Sequence, residues 1–167
     1  MASLGHVAVG MAVARRRHVA GDSTGPLLLA MLLWSGLSLL PDLDVVGFSM
    51  GVAYGDPWGH RGASHSLLFA LLVGGGATLL PSVSRSTGFW VFIVVASHGL
   101  LDTLTNGGLG IALGWPFTDE RWFAPWRPIP VGPIGRGLWS TRALFVIAVE
   151  AAMFAPLLAY ALWPRRK

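Results

Sequence analysis

Apolar residues fall along this chain in long blocks broken by short polar islands, without the narrow stripe of a helix that is half in water. The first block, from about Leu4 to Ala14, predicts a short helix of about 16 Å at 1.5 Å per residue, too little to span a bilayer alone. A basic, polar loop follows from Arg15 to Thr24. Ser23 or Thr24 is placed to cap a helix over about Gly25–Leu40, with Pro26 in its first turn and Pro41 as its stop. Residues 41–62 read as a polar, glycine-rich loop. A membrane-length helix is expected over about Ala63–Leu80, ended by Pro81, and another over about Gly88–Leu104, ended by Asn106, Gly107 and Gly108. A long Gly-, Pro- and Trp-rich loop covers 105–137. The last helix should run from about Leu138 to Trp163 with a kink at Pro156. The pattern predicts an all-α fold: one integral membrane helical bundle over 1–167, with about four long helices plus the short N-terminal one.

Composition supports the membrane reading. The chain of 167 residues is 53% hydrophobic and only 12% charged, about half the charged share of soluble domains. Its mean hydropathy is +0.60. There is no cysteine, so thiolate metal sites, disulfides and a cysteine nucleophile are excluded, and any metal must be held by imidazole and carboxylate. The net charge of +4 is not a nucleic-acid signal, because no basic stripe with interleaved aromatics accompanies it. Arg15, Arg16 and Arg17 follow the first apolar block, and Arg165, Arg166 and Lys167 follow the last, as flanking anchors do. Since the arginines come after the first apolar core, that segment is expected to be retained rather than cleaved. With Arg85 they define a cytoplasmic side. Loops 41–62 and 105–137 then face the other side of the membrane, with Trp115, Trp122, Trp126 and Trp139 at the interface. Arg121, Arg127 and Arg136 make that asymmetry imperfect.

Ionisable groups at membrane depth are costly and mark functional sites by default. On this topology His6, Asp42, Asp44, His60, His65, His98 and Asp102 all arrive at the same, non-cytoplasmic face. His98 and Asp102 are four apart, on one face of a helix. Asp42 and Asp44 end a helix, where anions meet the negative end of the dipole and need a compensating cation. His60 and His65 flank a loop-to-helix transition, with Ser64 as its expected cap. Arg61 between them suits bidentate phosphate recognition. Imidazole and carboxylate donors suit zinc, manganese or iron, and two adjacent ions can activate water and stabilise a leaving oxygen in phosphoester hydrolysis. Glu150 lies deep in the last helix, as a partner that orients a ligand, a proton carrier or a ligand itself. His18 reads as a surface residue, and Asp119 and Glu120 as partners of Arg121. A serine hydrolase has little support, since no GxSxG elbow occurs. A metal-ion transporter or non-enzymatic metal-binding membrane protein is the alternative. It would need acidic groups along a path across the bilayer, and only Glu150 lies deep.

The ordered set of His6, Leu40-Pro41-Asp42-Leu43-Asp44, His60-Arg61-Gly62, Ser64-His65-Ser66 and His98-Gly99-Leu100-Leu101-Asp102, trailed by Trp115-Pro116-Phe117, resembles the YdjM-like family over about residues 5–130. These are bacterial and archaeal inner-membrane proteins described as membrane-bound metal-dependent hydrolases. The family is considered distantly similar to zinc-dependent phospholipase C and P1-type nucleases. The resemblance implies metal ligation by His6, Asp42, His60, His65, His98 and Asp102, with Asp44 a ligand or base; Arg61, by its own chemistry, is expected as a catalytic phosphate contact beside them. It implies one to three divalent ions, zinc first and manganese second. The substrate would be a phosphoester of a membrane lipid, such as a phospholipid or isoprenoid phosphate.

Overall fold

The computed structural model describes residues 3–21 and 26–163. Ser23, Thr24, Arg165, Arg166 and Lys167, to which the sequence assigns capping and anchoring roles, lie outside the described residues. The fold is all-helical, with two isolated bridges, Thr105 to Ile129 and Ile111 to Trp122, tying down the long loop.

Helix α1 spans Leu4–Val19. It continues past Ala14, where the sequence pattern stops it, because arginine is a good helix former and no breaker occurs before Gly21. The arginines are therefore not all flanking anchors. Arg17 is buried, donates to Thr87 Oγ1 at 2.8 Å and lies 5.6 Å over the Trp34 ring.

Helix α2 covers Leu27–Ser38. After it the expected loop is a 3-10 helix, Leu40–Met50, with Pro41 in its first turn and Gly51 ending it in the left-handed conformation. A second, short 3-10 turn, Ala63–His65, precedes α3, Leu67–Ala77. The α3 cap is Ser66, whose Oγ accepts from Phe69 N at 3.0 Å. Ser64 does not cap, because its hydroxyl is bound to Asp44. Helix α4 runs Arg85–Asp102, started by a Ser84 cap. The last apolar run is not one kinked helix but two, α5 Thr141–Met153 and α6 Ala155–Leu162, which turn by 69° at Phe154. Pro156 cannot donate its backbone nitrogen to the α5 ladder, which places the break just before it.

Helix α1 lies at the centre, against α2, α4, α5 and α6, while α3 packs on α4. The core is Val13, Ala14, Met31, Trp34, Val91, Val94 and their neighbours. At Gly10 a Cβ would stand 2.6 Å from the Ser35 backbone, so α1 and α2 approach at a distance only glycine permits. The outer faces stay apolar. Leu28, Leu29, Leu32 and Leu33 of α2, Leu71 and Leu72 of α3, and Leu144 and Phe145 of α5 are all exposed. Unbroken apolar surface of this kind is unusual on a water-facing bundle. Even so, α4, the longest helix at 18 residues, reaches only about 27 Å against a hydrocarbon core of about 30 Å. Among the described residues no single helix is long and apolar enough to cross a membrane. Two bent pairs, Leu27–Ser38 with Leu40–Met50 and Thr141–Met153 with Ala155–Leu162, reach the length together.

Candidate metal centre

The break between α2 and the following 3-10 helix carries the site. It turns the chain by 51° and swings Pro41, Asp42 and Asp44 over the last turns of α4. Asp42 thus occupies the first turn of a new helix, so the dipole argument that placed both acids at a helix C-terminus does not hold for it. From the other side, Gly99 admits the Ala63–His65 turn: a Cβ there would collide with the His65 carbonyl oxygen. That close approach brings His65 onto His98.

Four donor groups converge. His65 Nε2 and His98 Nε2 are 3.1 Å apart. Asp42 Oδ1 is 3.3 Å from His98 Nε2 and 3.6 Å from His65 Nε2. Asp102 Oδ2 is 3.8 Å from His65 Nε2 and 4.0 Å from His98 Nε2. Both tautomers follow from the partners. His98 Nδ1 lies 2.7 Å from the Ser38 carbonyl, which can only accept, so the proton is on Nδ1. His65 Nδ1 faces Asp44 Oδ2 at 3.2 Å and Ser64 Oγ at 3.0 Å. Ser64 already donates its own proton to Asp44 at 2.6 Å, so His65 Nδ1 donates as well. When both rings are neutral, two imidazole lone pairs and two carboxylates point at one place. Such a group could hold a metal ion.

The donor spacing tests which cation fits. Ligands at about 2.0–2.1 Å from a tetrahedral centre stand about 3.3–3.4 Å from one another. The spacings quoted above bracket that value, and the two-His, two-carboxylate set suits zinc. A proton is the other candidate. Burial disfavours a charge on His65, but hydrogen bonds to Asp42 and Asp44 outweigh it and raise its pKa above 6.5. His65 sits in the 3-10 turn ahead of the apolar helices, and metal binding there would displace its proton.

A second group, Asp44, His60 and His65, abuts the first, with His65 common to both. Asp44 is the hub of a hydrogen-bond network: it accepts from His60 Nδ1 at 2.7 Å, from Ser64 Oγ and from the Arg61 backbone N–H at 3.2 Å. The sequence reading makes His6 a ligand too. The structure places it beside the four-donor group rather than in it, stacked on His98 at 3.7 Å between centroids, with Nε2 3.4 Å from the other Asp102 oxygen.

Arg61 is buried and left-handed at φ 65°, a conformation that costs about 1–3 kcal/mol for a non-glycine residue. Its Nη1 donates to Gly107 O at 2.8 Å and Leu109 O at 3.1 Å, and its Nε lies 3.4 Å from Asp102 Oδ2. Arg61, His60 and Asp42 border a cavity of about 460 Å³. Tyr54 borders it too. Burial raises its pKa while the Arg61 charge works against that, so its hydroxyl stays protonated.

Several supports escaped the sequence reading. Ser38 orients His98 through its carbonyl and donates its hydroxyl to the His6 carbonyl at 2.8 Å. Glu150 resolves into a long-range cap: its Oε2 accepts the Gly5 N–H at 3.1 Å, at the start of α1 beside His6. Arg121 binds the carbonyls of His60, Gly110, Gly55 and Asp56, and so staples the two loops that flank the site. Only the unusual depth of Glu150 was a signal in the sequence.

Residues 1–165 match the family model described as YdjM inner membrane protein. The chain belongs to this family. It is also 40% identical over 147 residues to the inner membrane protein YbcI of Escherichia coli (strain K12), covering 81% of this chain and 85% of that protein. No solved structure matches the chain.

Proposed function

We propose that this protein is a divalent-metal-dependent hydrolase of phosphoesters, held in the inner membrane by several apolar segments, with a lipid as its substrate. The observation that carries the reading is the convergence of two oriented imidazole nitrogens with the Asp42 and Asp102 carboxylates. A bound divalent ion, zinc by the donor set, would lower the pKa of water and polarise a phosphoryl oxygen. His65, His98, Asp42 and Asp102 would hold it. Asp44 and Ser38 fix the ring tautomers that make those nitrogens donors. Arg61 brings a fixed positive charge to the cavity wall, where a phosphoester would rest. Tyr54, kept neutral, supplies a hydroxyl to the same wall.

The family name and the apolar outer faces of α2, α3 and α5 support a membrane setting. The flanking arginines support a site on the non-cytoplasmic side. The likeness to zinc-dependent phospholipase C and P1 nuclease is part of the same proposal, and it rests on the His/Asp-rich donor set alone.

The test is elemental analysis of purified protein, alongside turnover of a fluorogenic lipid phosphodiester. His65→Ala and Asp102→Ala should lose bound metal and activity together. Full metal content in both variants would end the metal assignment. Full activity after complete chelation would end the proposed mechanism.

A further inference from the structure

The cavity beside Arg61 has two kinds of wall. Asp42, Val45 and Phe48 recur every three residues on the Leu40–Met50 3-10 helix, so they stack on one face, and all three line the cavity. The 131–138 segment lines the same cavity, with Ile134 and Leu138 among its residues. The polar groups, Asp42, Tyr54, His60 and Arg61, belong to the side next to the metal centre. Ile134 is 46% and Leu138 57% exposed, and Trp139 beside them is almost wholly exposed. An opening rimmed by such residues suits hydrocarbon rather than water.

From this we infer that the cavity binds a phosphorylated amphiphile with a single hydrocarbon chain, its phosphate against Arg61 and His60 and its chain between Val45 and Ile134. Size sets the chain number. About 460 Å³ lies in the lower part of the about 300–1,000 Å³ range of ligand pockets, enough for a phosphate and a stretch of one chain. A second chain would lie outside. Charge sets the headgroup: with a divalent ion offsetting Asp42 and Asp102, the buried Arg61 guanidinium adds a permanent cation at the cavity wall. The inference rests on the metal centre proposed above for phosphate affinity, and on the cavity's apolar lining for the preference for a chain.

The experiment compares methyl phosphate with hexyl phosphate, both in free solution, by titration calorimetry on the zinc-loaded full chain in amphipol. Each methylene buried is worth about fourfold in affinity, so hexyl phosphate should bind at least about tenfold more tightly even if only two of its extra methylenes are sheltered. Ile134→Trp should remove that advantage, so that hexyl and methyl phosphate bind the variant equally. Val45→Trp, on the Leu40–Met50 helix, should do the same. Equal affinities in the wild type would overturn the proposal, since the site would then read the phosphate alone. A chain-length advantage that survives both tryptophans would overturn it too, because the chain would then be partitioning elsewhere. Neither result touches the hydrolase reading, which falls if both ligand variants keep their metal or if activity survives complete chelation.

Discussion

Asp44→Asn separates two roles for the second carboxylate. In the wild type one Asp44 oxygen takes His60 Nδ1 at 2.7 Å, and the other faces Ser64 Oγ, His65 Nδ1 and the Arg61 N–H at 2.6, 3.2 and 3.2 Å. An amide nitrogen cannot face three donors, so the asparagine must turn its NH2 toward His60 and force that ring to change tautomer. His65 keeps an acceptor, but a neutral one. Loss of such an outer partner typically weakens metal binding by about 10–100-fold, equivalent to about 1.4–2.8 kcal/mol. Titration against a competing chelator measures the affinity, and elemental analysis measures the stoichiometry. If Asp44 only orients, affinity falls by that factor and stoichiometry holds. If Asp44, His60 and His65 hold an ion of their own, stoichiometry falls by one ion. Affinity within about threefold of wild type, with unchanged stoichiometry, would refute the reasoning on both counts.

Three further outcomes are expected. Gly99→Ala should push the Ala63–His65 turn off α4 and weaken metal binding by more than tenfold, whereas Gly75→Ala, which meets nothing within 4 Å, should leave it unchanged in the same titration. Glu150→Ala removes the acceptor for the Gly5 N–H and should cost about 1–3 kcal/mol, read as a lowered unfolding midpoint and faster amide exchange at residues 5–8. Metal affinity should decline with falling pH from a point above 6.5, the ordinary value that His65 exceeds. Its proton competes for the same nitrogen, so the decline should approach about tenfold per pH unit; titrations between pH 5 and 8 that show no such slope would remove His65 Nε2 from the ligand set.

The parts of the site legible in the sequence are those set by local spacing. His98 and Asp102 share a face because four residues make about one helical turn, and the helix around them is long and apolar. Pro41 marked the end of α2, and Pro156 marked the α5–α6 break to within two residues, though neither gave the angle. The 3-10 helix Leu40–Met50 read as a loop because its acids and glycine dilute an otherwise apolar run. Its path is decided by the Asp42 and Asp44 contacts, not by propensity. In α1, arginines that looked like a boundary sit inside the helix: their propensity carries it on, and Arg17 finds Thr87 and Trp34. Glu150 capping a helix 145 positions away has no trace in any local pattern.

A buried polar cluster need not be a functional site, and the alternative here is a satisfied hydrogen-bond knot that merely ties α1, α2, α3 and α4 together. The tautomers show what such a knot would need. In a satisfied network each lone pair meets a proton. At this cluster the Nδ1 protons are committed outward, to Ser38 on one side and to Asp44 and Ser64 on the other. What remains between the rings, when both are neutral, is acceptor facing acceptor at 3.1 Å, which calls for a metal ion or for the proton that the raised pKa of His65 favours. Gly99 lets His65 come onto His98, while Arg61 Nε stands 3.4 Å from Asp102 Oδ2 and already offsets part of its charge. A metal ion at this centre therefore shares Asp102 with a fixed cation, and elemental analysis of the purified wild type decides between the knot and the centre.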